Sequence, residues 1–276
     1  LGTSEYHFHA WGKPGMIHVG AKIFLFLLRI RIGGIMKTQT GTLYGIGVGP
    51  GDPELLTIKS ARIISEVDVI FAAASTKNDY SIAVNIAGPH IPKGTAVRML
   101  HFPMTKDRDE SCKAWKTNAE IIISELEQGR DAAFLTLGDP MTYSTYGYVL
   151  KNIQQMAPHI PITTIPGITS YQAAAACINT PLVEGEESLL VVSGVNGGGR
   201  LRQNTIKPEN VVFMKAYRNV PDINAALNGD SGFTRCIGIS NCSLPNQKIY
   251  PDTREFNDRI PEYWTLIIAK QSDQHA

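Results

Sequence analysis

From Thr42 onward the chain alternates apolar runs with stretches of helical periodicity, and this alternation constrains its fold more than any other feature. "TLYGIGVG" (42–49), "VDVIFAAA" (67–74), "AVRMLHF" (96–102) and "DAAFLTLG" (131–138) read as strands. Helical segments near 79–88 and 108–128 separate them, and Gly129 stands where a left-handed helix cap is expected. Strands buried on both faces read as near-continuous apolar runs, so this order predicts an α/β protein whose mostly parallel sheet is covered on both sides. Asp52 is placed to cap a helix with Pro53 in its first turn. The stripe in "ELLTIKSARII" would then turn Leu55, Leu56, Ile58 and Ile63 toward the sheet.

A helix over about Thr145–Met156 runs into Pro158 and Pro161, after which the chain restarts with "ITTIPG". That punctuation sets a boundary between an N-terminal α/β domain over 36–157 and a C-terminal α/β domain over 158–276. The second half carries a small-residue helix, "TSYQAAAACI", then strands "SLLVVSG", "NVVFMKA", "TRCIGIS" and "YWTLIIAK". Only "VPDINAALN" reads as a helix among these strands, which predicts antiparallel pairs and a mixed sheet. "GVNGGGRLRQN" (194–204) is too rich in glycine for either element and reads as a mobile loop. Residues 1–35 are expected to be a leader or upstream extension outside the core, with Met36 as the natural start. An extra helix packed on the body is the alternative. The apolar run Ile23–Leu28 is far short of the roughly 20 residues a membrane-spanning helix needs.

"GIGVGPGDP" (45–53) occupies the strand-to-helix position of a dinucleotide fingerprint, yet its spacing refuses that motif. Counting from Gly45 and Gly47, the third glycine of G-x-G-x-x-G falls on Pro50; counting from Gly47 and Gly49, it falls on Asp52. An acidic side chain at the helix start also opposes a pyrophosphate. No G-K-[ST] phosphate loop is present.

Charge narrows the partners further. Lys plus Arg number 26 against 25 Asp plus Glu, a formal net charge of +1, so no long-range field gathers polyanions and nucleic acid is a poor candidate. The four cysteines are scattered and the histidines lack ligand spacing, which argues for a reduced cytoplasmic protein without a metal site of its own.

Four stretches in order, "GIGVGPGDPELLT", "TLGDPMTYSTY", "TIPGITSYQAAAA" and "VVFMKAYRN", resemble the tetrapyrrole methyltransferase superfamily over about Thr40–Lys270. "FPMTKD" (102–107), Trp115 and the wording "LTLGDPMTYSTY" resemble its precorrin-2 or cobalt-factor II C-20 methyltransferase branch; other branches usually carry a second glycine in place of Leu137. The resemblance implies two α/β domains with S-adenosyl-L-methionine in the cleft between them, a tetrapyrrole substrate alongside, and a homodimer. It implies methyl transfer to C-20 in cobalamin biosynthesis, with S-adenosyl-L-homocysteine as product. Other readings are methylation at another tetrapyrrole position, methylation of ribosomal RNA ribose or of a modified histidine on an elongation factor, and a non-catalytic tetrapyrrole carrier.

Carried onto this sequence, the resemblance places Pro50, Leu137, Gly138, Asp139, Thr142 and Tyr143 on the cofactor from the first half. Thr169, Ser170, Met214, Lys215, Ala216 and Cys242 would hold it from the second. Glycine admits close backbone approach, and the Asp139 carboxylate can pair an α-ammonium. Thr169 and Ser170 have helix capping as an alternative role, Met214 has core packing, and Tyr143, Tyr146 and Tyr148 have helix-to-sheet packing. Asp52 is the candidate for orienting the substrate or accepting the C-20 proton, with capping as its alternative. Gly49 and Gly51 would face the substrate, and Lys106, Arg108, Arg200, Arg202 and Arg218 are candidates for pairing its carboxylates.

Overall fold

The computed structural model describes residues 39–74, 81–229, 232–257 and 259–271. The leader, Met36 and the first residues of the helix expected near 79 lie outside them. Chain from Gln39 onward forms one compact unit built on two five-stranded sheets.

The first sheet contains β1 (Leu43–Gly47), β2 (Val69–Ala74), β3 (Ala96–His101), β4 (Ala132–Thr136) and β5 (Ile162–Ile165) in the order β3-β2-β4-β1-β5, every pair parallel. α1 (Ile58–Glu66) and α2 (Ile82–Ala87) pack on one face, burying Ile63, Ile64, Ala83 and Ile86 against Ile46, Ile70, Ala133 and Leu135. α3 (Arg108–Leu126) and α4 (Tyr146–Met156) cover the other, burying Ala119, Ile122, Tyr146 and Ile153 against Leu43, Phe71 and Phe134. Phe71 and Phe134 project to one side while their neighbours Ile70, Ala133 and Leu135 project to the other. Continuous apolar sequence is the consequence of having both faces covered.

The second sheet contains β6 (Leu189–Ser193), β7 (Asn210–Met214), β8 (Phe233–Ser240), β9 (Lys248–Tyr250) and β10 (Thr265–Gln271) in the order β6-β7-β10-β8-β9. Only β6 and β7 run parallel, so the sheet is mixed as expected. α5 (Ser170–Cys177) lies on one face through Ala173, Ala174 and Ala175, where small side chains admit close approach to Val212, Ile239 and Leu266. α6 (Gly199–Arg202) and α7 (Val220–Asn228) pack on the opposite face, against Val211, Phe213 and Ile267.

Three expectations are corrected. Asp52 caps only a 3-10 turn (Pro53–Leu55), and α1 starts after Thr57, whose hydroxyl accepts from the Ser60 N–H. The later start rotates Ile58 into solvent, where it is 90% exposed, and leaves Ile63 and Ile64 to face the sheet. The break at Pro158 predicts that β5 belongs to the second domain, yet Leu43 pairs with Ile162 and Ile46 with Ile165, so the change of sheet falls after Ile165. The glycine-rich segment 194–204 contains α6: the Gly198 N–H donates to Asp222 (2.8 Å), and Arg202 pairs with the same carboxylate (2.8 Å).

Candidate active site

Strand order locates the site. β1 sends the chain toward β2 through α1 on one face, whereas its neighbour β4 sends it toward β5 through α4 on the other. Adjacent loops leaving toward opposite faces open a crevice at the carboxyl ends of the strands, the usual ligand position in parallel sheets. Here the crevice continues between the two sheets as a cleft of about 680 Å³.

At its floor the loops after β1, β4 and β5 touch backbone to backbone. Gly49 and Gly138 exchange N–H···O=C bonds of 3.2 and 2.7 Å, and both hold positive φ, 79° and 71°. A Cβ at Gly167 would lie 2.3 Å from the Gly138 carbonyl oxygen and 2.9 Å from Gly47 Cα. At Gly138 itself the nearest atom to a Cβ would be the Ile168 carbonyl oxygen at 3.9 Å, so space remains for a ligand to approach the main chain.

Asp139 fastens this junction. Its Oδ2 accepts from the Gly167 N–H (3.0 Å), while Oδ1 accepts from the Met141 N–H (2.9 Å) and the Thr142 hydroxyl (3.3 Å). The carboxylate expected to meet a ligand ammonium thus already ties the β4 loop to the β5 loop. With roughly four lone-pair sites, it can do both.

The second half contributes Thr169, Ser170, Met214, Lys215, Asn241 and Cys242. Thr169 fulfils the helix-capping alternative as well as lining the cleft: its hydroxyl accepts from the Gln172 N–H (3.3 Å), and the Thr169 N–H donates to the Gln172 side-chain Oε1 (3.1 Å). Ser170 donates to the Met214 sulfur at 3.8 Å. Burial pushes the Cys242 thiol above its ordinary pKa, with the hydrogen bond to Ser243 opposing. Solvent reaches Lys215, but the surrounding walls desolvate its ammonium and hold its pKa below the usual lysine value. Three cleft residues, Tyr143, Lys215 and Asn241, hold left-handed backbone with φ of 50°, 57° and 52°. Such strain in bulky residues persists where surrounding structure imposes it, most often at functional sites.

Eleven of the twelve residues expected around the cofactor line this one cleft. The exception is Ala216, fully buried beneath Lys215 and bonded by its N–H to the Thr265 carbonyl (2.7 Å). Expected substrate contacts are less well gathered. Gly49 and Gly51 are buried in loop packing, Gly51 against Ser243 and Leu244. Asp52 does not line the cleft; its carboxylate accepts from the Glu54 N–H at 2.9 Å, so capping is its role in the fold. Lys106 and Arg108 are exposed beside the lining residues Thr105 and Ser111. Arg200 and Arg202 lie away from the cleft on α6, and Arg218 covers the Tyr217 ring at 5.1 Å.

The lining also includes aromatic residues that the motifs do not assign to the site. Trp115 and Tyr148, both in the cleft lining, stack at 3.9 Å with planes 5° apart. Tyr263 and Trp264 line it as well, each nearly half exposed. Their only signal was two adjacent aromatics just ahead of an apolar strand, which is equally a core signature. The three tyrosines near 146 divide: Tyr146 is fully buried packing, whereas Tyr143 and Tyr148 line the cleft.

Comparison with known proteins extends this geometry. A family model described as tetrapyrrole (corrin/porphyrin) methylases matches residues 42–256. The cobalt-precorrin-2 C(20)-methyltransferase of Salmonella typhimurium is 33% identical over 84% of this chain and 98% of its own length. The probable cobalt-precorrin-2 C(20)-methyltransferase of Methanocaldococcus jannaschii is 39% identical over 86% of this chain and 99% of its own. In fold the chain also matches the uroporphyrin-III C-methyl transferase of Thermus thermophilus, solved in complex with S-adenyl homocysteine, at a TM-score of 0.59 and 20% identity over 83% of this chain and 97% of that one. The family match spans the whole first sheet, the second sheet apart from β10, and the cleft-building loops that follow β1, β4, β5 and β7, and on it this chain belongs to the tetrapyrrole (corrin/porphyrin) methylases.

Proposed function

We propose that this protein is an S-adenosyl-L-methionine-dependent C-methyltransferase that methylates C-20 of precorrin-2 or its cobalt-loaded counterpart in cobalamin biosynthesis. The observation that carries the reading is the gathering of Pro50, Leu137–Asp139, Thr142, Thr169, Ser170 and Met214 into one cleft, in a chain that covers nearly the whole length of relatives bearing that name. The two relatives with cobalt in their names favour the cobalt-loaded substrate. The same reading makes the enzyme a cytoplasmic homodimer, and among the described residues no helix is long and apolar enough to cross a membrane.

The cleft fits such a cosubstrate on its own geometry: Gly138 leaves open space beside its main chain, and Asp139 keeps a free acceptor site. Gly138, Asp139 and Thr142 would hold the methionine part; Thr169, Ser170, Met214 and Cys242 would hold the nucleoside. When bound, S-adenosylmethionine supplies a methyl group already activated by the sulfonium charge. The protein therefore has chiefly to align two reactants and keep water from the reacting carbon, and such alignment contributes roughly 7–11 kcal/mol. Asp52 is not the proton acceptor in this scheme, because it serves the 3-10 turn outside the cleft.

The test uses the full chain with labelled S-adenosylmethionine and, in parallel anaerobic reactions, precorrin-2, cobalt-factor II and uroporphyrinogen III. Label at C-20 of either of the first two is the expected product. Label on uroporphyrinogen III alone overturns the ring position, and tight cosubstrate binding without transfer to any ring overturns the enzymatic reading.

A further inference from the structure

Among the described residues lining the cleft, Asp139 is the only carboxylate and Lys215 the only basic side chain. Asp139 already receives three donors. No described carboxylate lies within ion-pair distance of Lys215, and its one described partner is the Tyr143 ring, 5.8 Å from the ammonium to the ring centre. The remaining titratable groups of the lining are the Cys242 thiol and the tyrosine hydroxyls, and burial raises the pKa of both Cys242 and Tyr263.

Position adds to charge. β7 ends at Met214, and Lys215 turns into the left-handed region before Ala216 returns to bond Thr265. Tyr143, facing it across the cleft, holds the same unfavourable backbone, and its hydroxyl reaches the Val191 carbonyl at 3.4 Å. A long cationic side chain is thus held, on a backbone that disfavours it, against an aromatic face contributed by the other sheet's loop. Core packing explains neither feature, since the ammonium borders open cleft.

From this geometry we propose that Lys215 is the cleft's carboxylate receptor: its ammonium leaves the Tyr143 ring to pair a carboxylate brought in by a bound reactant, and so fixes that reactant's orientation. Desolvation already lowers the lysine pKa, and an arriving anion would reverse the shift. The inference rests on the proposed methyl transfer, whose two reactants both carry carboxylates: the methionine end of the cosubstrate and the acidic arms of the tetrapyrrole.

The experiment compares wild type, Lys215→Asn and Lys215→Arg. Asparagine tolerates left-handed backbone, so Lys215→Asn is expected to melt at or above the wild-type temperature. Calorimetry gives affinities for S-adenosylhomocysteine and for 5′-methylthioadenosine, which lacks the amino-acid end; steady-state kinetics gives KM for the tetrapyrrole. A lost charge-assisted bond is expected to weaken one carboxylate-bearing reactant by about 10- to 100-fold, with Lys215→Arg recovering most of it. Weakening of S-adenosylhomocysteine but not of methylthioadenosine assigns the methionine carboxylate. A raised tetrapyrrole KM with unchanged S-adenosylhomocysteine affinity assigns the macrocycle. Unchanged binding of both reactants, or equal weakening of the two nucleosides, overturns the inference while leaving the proposed function standing. Wild type that binds no S-adenosylhomocysteine overturns both.

Discussion

Asp139 offers the sharpest test of how this site is built, because the structure gives its carboxylate a task before any ligand arrives. Asp139→Ala removes the acceptor for the Gly167 and Met141 N–H groups, at 3.0 and 2.9 Å, and for the more distant Thr142 hydroxyl. Hydrogen bonds to a charged group each contribute about 1.5–3 kcal/mol, and half-burial favours the lower figure. Two such bonds come to about 3 kcal/mol, with little added by the hydroxyl. For a domain of this size that corresponds to a fall in Tm of roughly 6–12 °C. The measurement is scanning calorimetry without ligand, paired with urea unfolding; an unchanged m-value would show that the native surface is preserved. Asp139→Asn, which keeps one acceptor oxygen, should lose about half as much. S-adenosylhomocysteine binding should weaken in proportion to the loosened loops. If ligand-free Asp139→Ala melts with wild type while that binding disappears, the tether argument is wrong and Asp139 serves the ligand alone.

Three further outcomes follow from the packing. Gly167→Ala forces a Cβ against backbone of both neighbouring loops and should cost about 1–3 kcal/mol together with cofactor binding, whereas Gly147→Ala, in α4 with nothing within 4 Å, should stabilise by about 0.5–1 kcal/mol; urea titration separates the two. Tyr146→Phe breaks the 2.9 Å contact with the Thr164 hydroxyl and should cost about 1 kcal/mol, most of it recovered when Thr164→Val is added, because the orphaned hydroxyl is then gone too. Burial, with the Asp252 charge as the lesser cause, pushes the Cys236 thiol up to about 11 from 9.0, so native-state alkylation at Cys236 should rise only as pH approaches 11. Between those values the unfolded thiol loses its proton and the native one keeps it, so stability falls as pH rises through the window; Cys236→Ser should flatten that dependence in urea unfolding at graded pH.

What the sequence disclosed depended on how local its physical cause was. Parallel strands buried on both sides left continuous apolar runs, and α7 was readable to the residue as "VPDINAALN" because a helix start and an apolar stripe coincide there. Ile58 was misassigned because Asp52–Pro53 and Thr57 are both valid helix starts, and only tertiary packing chooses between them. The glycine-rich 194–204 segment hid α6, since the Asp222 carboxylate that fixes it lies a helix further along the chain. At the site, motif residues were legible because glycine junctions demand particular types. The walls were not: Trp115, Tyr148, Tyr263 and Trp264 carry composition that a core would also use. Asp52 and Ala216 are suggested by their neighbours in sequence, while in the fold the Asp52 carboxylate caps a 3-10 turn and the Ala216 N–H bonds Thr265.

The place of β1 inside its sheet governs how the protein is made. Leu43 faces Ala132 on one side and Ile162 on the other, so the first described strand is flanked entirely by chain that leaves the ribosome much later. Among the described residues β1 has no partner until β4 emerges, and until β5 emerges it presents an open hydrogen-bonding edge flanked by the apolar Leu43 and Ile46. Pairing across such separations is slow and leaves sticky intermediates exposed. A fragment ending at the Pro158 punctuation would be born with that edge permanently bare, whereas one continuing through Ile165 would close it. Vectorial synthesis therefore makes the four residues of β5 the step at which β1 becomes an internal strand and the open edge passes to a short strand carrying two threonines.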